Sequence, residues 1–188
     1  MSTILHIKNM VCDRCKMIVS QSLEEIGITI LNLELGVVTI TSKEAVDYDK
    51  IREVLKNKGF ELILDKNKIL IDKIKTNLIA FVDILDSSKE ENISVFLSQR
   101  MNRDYSVMSK LFSKTENVSI EKYVINLKIE KAKELIQMNR LSFSEIAYTL
   151  AYKSSSHLAR QFKLITGFSM SEYKTSQKWN RTSLDRIV

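Results

Sequence analysis

The sequence predicts an α+β protein in two parts: a small β-α-β-β-α-β unit, then an all-α part holding two helix–turn–helix units. Three observations carry that expectation. Up to about residue 68, apolar residues recur in short runs with strand or helix period, and glycines punctuate those runs. From about residue 89 the chain repeats itself with a period of fifty. Charge divides the same way: residues 1–87 hold 12 basic and 13 acidic side chains, whereas residues 88–188 hold 17 and 10.

In the first part, residues 4–9 are extended, with Leu5 and Ile7 on one face and His6 and Lys8 on the other. A helix runs from Cys12 to about Ile26, with Cys15, Ile18, Val19, Leu23 and Ile26 at 3–4 spacing, and Gly27 supplies the left-handed cap. Two strands, 28–35 and 37–41, flank Gly36 as a hairpin. A second helix, from about Asp47 to Lys58, turns Ile51, Val54 and Leu55 inward and closes at Gly59. The last strand is 61–64. The order β-α-β-β-α-β is the ferredoxin-like arrangement.

Composition narrows the class. The 188 residues are 44% hydrophobic, with two cysteines, four glycines, no proline and a net charge of +6. That supports a packed core and excludes a disordered or collagen-like chain. No apolar run approaches a membrane span, and residues 1–8 have neither a basic nor a long apolar region. The expectation is a soluble, cytoplasmic protein with no membrane partner. No GxSxG, P-loop or HExxH is present, and the two histidines lie in different parts, so a hydrolase is poorly supported and the chain is read as a non-enzyme.

Two cysteines cannot build the disulfide framework of a small secreted fold; in a reducing compartment Cys12 and Cys15 are a metal or redox pair. They lie at the turn from the first strand into the first helix, where free N–H groups and the helix dipole favour thiolate. Two thiolates one turn apart can grip a soft ion. Met10-Val11-Cys12-Asp13-Arg14-Cys15 in this setting resembles the Met-x-Cys-x-x-Cys loop of the heavy-metal-associated domain, over about residues 3–66, with Gly59-Phe60 matching a Gly-aromatic step beside that loop. Departures are Asn9 for the usual Gly, and Asp13 and Arg14 for small residues. Val11 stands where zinc-preferring members often carry Asp, and His6 points away from the helices, so no third ligand is evident. The resemblance implies Cu(I) or Zn(II) at Cys12 and Cys15. A redox switch, or a scaffold or dimerisation module without metal, remains an alternative.

The repeat is specific. Residues 108–112 recur as 158–162, Asn117 as Gly167, Ser119 as Ser169, Tyr123 as Tyr173, and Phe96-Leu97 as Ile146-Ala147. Ser142-Phe143-Ser144-Glu145 and Ser169-Met170-Ser171-Glu172 are capping boxes, and Asp104 and Ser154 are equivalent N-caps. Between the units Ser119 caps a helix to about Met138, with Ile120, Val124, Leu127, Ala132, Leu135 and Ile136 inward. Such a helix is roughly 28 Å long, close to the spacing of about 34 Å between successive major-groove faces of duplex DNA.

Residues 89–178 resemble the DNA-binding domain of AraC-family transcriptional regulators. The motif that carries this runs Phe143-Ser144-Glu145-Ile146-Ala147-Tyr148-Thr149-Leu150-Ala151-Tyr152-Lys153, continues through Ser154–Lys163 and resumes as Thr166-Gly167-Phe168-Ser169-Met170-Ser171-Glu172-Tyr173, with 128–135 as the linker helix. Ala151 replaces a usual Gly and Met170 a frequent Pro; Asn102 and Asn117 stand at Gly-like turns that Asn tolerates. The resemblance implies double-stranded DNA as partner, with Ser106, Ser109 and Lys110 on the first reading helix and Ser155, Ser156, His157 and Arg160 on the second facing the bases. Arg160 has the fork that matches guanine O6 and N7. Lys114, Lys153 and Lys163 are placed on phosphates. His157 has a plain surface reading as well, and the serines a capping one. The family also implies a homodimer and contact with the transcription machinery.

The expected organisation is 1–68 as the thiol module, 69–88 as a connecting helix, 89–178 as the reading head and 179–188 as a basic tail. A metal bound by the first would shift the DNA affinity of the third.

Overall fold

The computed structural model describes residues 2–41, 46–85, 92–184 and 187. The chain divides into two compact units, Met1–Thr76 and Asn77–Val188.

In the first unit β1 (Ser2–Lys8), α1 (Asp13–Glu24), β2 (Thr29–Glu34), β3 (Val37–Thr41), α2 (Tyr48–Asn57) and β4 (Glu61–Ile63) follow in that order, and α3 (Lys66–Asp83) begins. The strands form one sheet in the order β2-β3-β1-β4, every neighbouring pair antiparallel. His6 at the middle of the sheet faces Val37 on one side and Ile63 on the other. Alternation puts Leu5, Ile7, Val38 and Ile40 on the face that buries Val19 and Leu23 of α1 and Ile51 and Leu55 of α2. Asp47 caps α2 by accepting from the N–H groups of Asp49 and Lys50. The expected inward stripe of α1 holds at Val19 and Leu23, but Ile18 is 42% exposed. Ser22 is buried in its stead, its hydroxyl donating to the Ile18 carbonyl at 2.7 Å. A serine that satisfies itself on its own helix is cheap to bury. Val54 is only half-buried.

The second unit holds the rest of α3, then α4 (Ile93–Met101), α5 (Tyr105–Glu116), α6 (Ile120–Met138), α7 (Phe143–Thr149), α8 (Ser155–Thr166) and α9 (Met170–Ser176). The caps fall on the anticipated residues: Asp104, Ser119 and Ser154 each accept from a first-turn N–H. Ser142 and Ser169 form complete capping boxes with Glu145 and Glu172. Asn102 and Asn117 end their helices at φ of 48° and 57°, in the left-handed region that asparagine tolerates. The period of fifty is structural as well as textual. Phe112 meets Tyr123 edge-on at 5.4 Å, and fifty residues later Phe162 meets Tyr173 edge-on at 5.5 Å.

α6 serves both halves of the repeat. Ile120, Val124 and Leu127 are buried early in it, and Ile129, Ala132 and Ile136 join the core of Ile146, Ala147, Leu158, Phe162 and Met170. Leu135 is half-buried, while Tyr123, Glu130 and Lys133 are buried beyond expectation. Among the described residues, no helix is long and apolar enough to cross a membrane.

Candidate functional site

α5 and α8 are the second helices of the two helix–turn–helix units, and each turns one stripe outward. On α8 the exposed stripe is Ser156, Ala159, Arg160, Lys163 and Leu164; on α5 it is Ser106, Val107, Lys110, Ser113 and Lys114. They fall at i, i+3, i+4, i+7 and i+8 on α8 and at i, i+1, i+4, i+7 and i+8 on α5, a single helical face in each. Leu158 and Phe162, and Met108 and Phe112, anchor the opposite faces at 0% exposure. Apolar burial thus fixes the rotation of both helices, and the outward stripe follows from it.

Ser106, Lys110, Ser156 and Arg160 therefore stand on the outward faces, with Lys114 and Lys163 one to two turns further along. Lys153 is exposed just before the N-cap of α8. Ser109, Ser155 and His157 are half-buried. His157 sets its ring edge-on to Tyr152 at 5.2 Å. Val107, Ser113, Ala159 and Leu164 join these stripes without having been among the expected residues; Leu164 is 80% exposed. Applying the period of fifty to Lys163 and Lys114 points to Ser113 and Leu164, so the signal was present.

A second layer holds α8 in place. The Tyr152 hydroxyl donates to Gln161 Oε1 at 2.6 Å, and the Lys128 ammonium lies 5.2 Å from the centre of the Tyr152 ring. Burial pushes the Tyr152 pKa up and the Lys128 pKa down. In the first half, the Tyr105 hydroxyl donates to Glu121 Oε1, tying the start of α5 to the start of α6. That bond holds the Glu121 carboxyl below its ordinary pKa, while burial and then Glu121 push Tyr105 up.

The thiols form a separate site in the first unit. Cys12 is the N-cap of α1 and is exposed; Cys15 is half-buried, and their sulfurs lie 3.4 Å apart. The backbone N–H of Cys15, then its side chain, the Arg14 N–H and the Arg14 charge, hold the Cys12 thiol below its ordinary pKa, against a partial cost of burial. Burial pushes the Cys15 thiol up. The two thiols are thus unequal, Cys12 being the more acidic of the pair. Asn9, which stands before this loop at φ 73°, donates its side-chain N–H to the Gly59 carbonyl at 2.9 Å, tying the loop to the Gly59-Phe60 step. Met10 is buried at 1% exposure and packs in the core. No group of three or more His, Cys, Asp or Glu side chains gathers anywhere among the described residues. His6 faces away from α1 and α2; its Nδ1 is buried without a partner, and burial followed by the Lys73 charge lowers its pKa.

Residues 97–176 match the family model described as a helix-turn-helix domain. The Msm operon regulatory protein of Streptococcus mutans is 26% identical over 78 residues, which cover 42% of this chain and 28% of that relative's length. The C-terminal domain of AraT, a response regulator from Geobacillus stearothermophilus, superposes with a TM-score of 0.51 at 17% identity, covering 63% of this chain and 92% of that one. A transcriptional regulator with an AraC-type DNA-binding domain from Chromobacterium violaceum gives a TM-score of 0.49 at 13% identity, over 56% of this chain and 93% of that one. The AraT likeness is one of fold. Residues 97–176 are thus similar to that helix-turn-helix family, in keeping with the paired helices at each end of α6.

Proposed function

We propose that the chain is an AraC-type, sequence-specific transcriptional regulator that binds double-stranded DNA in the cytoplasm and is not an enzyme. The observation that carries this reading is the duplicated architecture: two helices, α5 and α8, present equivalent outward stripes from equivalent scaffolds joined by α6. In this reading Ser106, Lys110, Ser156 and Arg160 meet base edges, with Ser109, Ser155 and His157 at the margin of that surface. Lys114, Lys153 and Lys163 hold phosphates and set the register. A selection of duplexes from a random pool by the full chain tests the reading. The expected result is one enriched motif with two blocks about one helical turn apart; a pool that stays random under salt conditions permitting binding overturns it.

The first unit is read as a ferredoxin-like, heavy-metal-associated module, supported by its β2-β3-β1-β4 sheet and by the Cys12–Cys15 pair. Two sulfurs suit a soft ion such as Cu(I), whereas Zn(II) generally takes four ligands, two more than this pair offers. When bound, such an ion supplies a charge and a crosslink between the N-cap and first turn of α1. Coupling to DNA affinity or to homodimer formation, and thence to the transcription machinery, belongs to the same proposal. Cu(I) competition against a chromophoric chelator, with native chain and the Cys12→Ser, Cys15→Ser double variant, tests it; equal Cu(I) uptake by both sinks the metal site. The redox alternative rests on the unequal thiols and predicts a reversible Cys12–Cys15 disulfide that changes DNA affinity.

A further inference from the structure

A cavity of about 390 Å³ opens in the second unit, away from the outward stripe of α8. Lys133 of α6, Ile165 and Phe168 after the core of α8, Tyr173 of α9, and Lys178 and Asn180 of the following segment are among the residues that line it. Two features mark it as more than a surface dent. Phe168, a large apolar side chain, is 57% exposed, while Tyr173 is buried and its hydroxyl has no hydrogen-bond partner. A buried hydroxyl without a partner is costly, so its persistence calls for an explanation.

The polar groups around it are mostly donors. Lys133 is buried, and its ammonium donates to Glu130 Oε1 and to the Asn180 carbonyl, the latter at 2.9 Å. An ammonium has three N–H donors, and among the described residues the third is uncommitted. The Glu130 carboxylate is met by Lys133 and by the Thr182 N–H at 2.9 Å. It acts on Tyr173 as well, since burial and then the Glu130 charge push the phenol pKa up. Lys178 is exposed at the rim and makes no ion pair among the described residues. The segment that closes this end, from Gln177 to Thr182, is not helical and is held by Asn180 on Lys133, Thr182 on Glu130 and Arg181 on Glu134 at 3.0 Å.

We propose that this cavity binds a small organic carboxylate with an apolar body, the carboxylate replacing the Asn180 carbonyl on Lys133 and giving Tyr173 its missing acceptor while the body packs on Ile165 and Phe168. The exchange is favourable in kind, because a charged acceptor on an ammonium is stronger than the neutral carbonyl it displaces. Lys178 draws the anion to the mouth. The ligand class follows from three donors and two apolar walls, and a cation or a sugar fits neither set.

Trp179, the sole tryptophan of the sequence, lies edge-on to Tyr173 at 5.6 Å and so reports on the site. The full chain is titrated with 4-phenylbutyrate and with its neutral amide, following Trp179 emission and heat of binding. Saturable binding of the acid, with the amide weaker by about tenfold or more, is expected. Tyr173→Phe, checked for folding by circular dichroism, is expected to weaken the acid about fivefold, and the rim variant Lys178→Gln about threefold. No saturable signal in either readout overturns the proposal, as does equal affinity for acid and amide, or native affinity in both variants.

Discussion

The Tyr152 hydroxyl donates to Gln161 Oε1 at 2.6 Å, joining the turn before α8 to the middle of that helix. Gln161 lies next to Arg160, and the bond therefore fixes the rotation of the helix at the point where its long outward side chain starts. Tyr152→Phe removes the donor and leaves the ring packing against His157 and Lys128 in place. A loss of about 0.5–1.5 kcal/mol in unfolding free energy is expected from a hydrogen bond of this kind. DNA affinity should fall with it, even though Tyr152 lies outside the exposed stripe of α8. Urea unfolding and a binding isotherm on the selected duplex check both; unchanged affinity in a destabilised variant would separate α8 rigidity from reading.

Arg160 and Lys163 share the outward stripe of α8 but are assigned different work. A guanidinium on guanine O6 and N7 discriminates between bases, so Arg160→Ala should cost about 1–3 kcal/mol on the selected site and far less on random duplex. If Lys163 holds a phosphate as proposed, Lys163→Ala should weaken both kinds of binding alike and reduce the slope of log affinity against log salt by about 1. Salt titrations of the two variants on both duplexes distinguish the roles. Equal specific and non-specific losses in Arg160→Ala would assign that residue to phosphate instead.

The residues that were legible in the sequence are those whose role is local or periodic. Capping serines, left-handed asparagines and the Phe–Tyr pairs of the repeat each depend on a few neighbours, and the text carries those neighbours. Ile18 was misjudged because 3–4 spacing defines a stripe without saying how wide the contact is, and Ser22 on the neighbouring turn filled the space. The resemblance places Ser109 outward, yet it is half-buried, next to the fully buried Met108. Glu130 and Lys133 look like an ordinary exposed i, i+3 pair; they are buried because the segment after α9 folds back onto α6, with Thr182 on Glu130 and Asn180 on Lys133. Contacts over some fifty residues leave no mark in local pattern, and that is also why Trp179 had no assignment from sequence.

Ala151 holds φ at 52°, where a β-carbon crowds the following carbonyl. The turn keeps this conformation because the Ala151 N–H donates to the Tyr148 carbonyl and the Tyr152 N–H to the Ala147 carbonyl, both at 2.9 Å. Left-handed geometry costs an alanine about 1–2 kcal/mol, and glycine gives back part of that gain through its freer unfolded chain. Ala151→Gly should therefore stabilise the second unit by roughly 0.5–1 kcal/mol. A higher thermal midpoint with unchanged DNA affinity is the expected outcome, and a lower midpoint would show that the β-carbon earns its place by packing.

Asp72 connects stability of the first unit to pH. Its carboxyl is held down in pKa by the Asn9 backbone N–H, and a β-carbon added to Gly36 would lie 3.5 Å from Oδ2, so the group is enclosed. Burial raises its pKa to about 6 from an ordinary 3.8, against the lowering charges of Lys8 and Lys75. A folded-state pKa above the unfolded one means that the folded state binds the proton more tightly. This contribution to stability is complete below the unfolded pKa and is lost as pH rises through about 6. Asp72→Asn keeps the size and shape of the side chain and never carries the charge. The variant should match the native chain near pH 4 and exceed it by on the order of 2 kcal/mol at pH 8. Urea unfolding of both proteins at the two pH values checks this, and a gap of equal size at both would trace the effect to packing rather than to the proton.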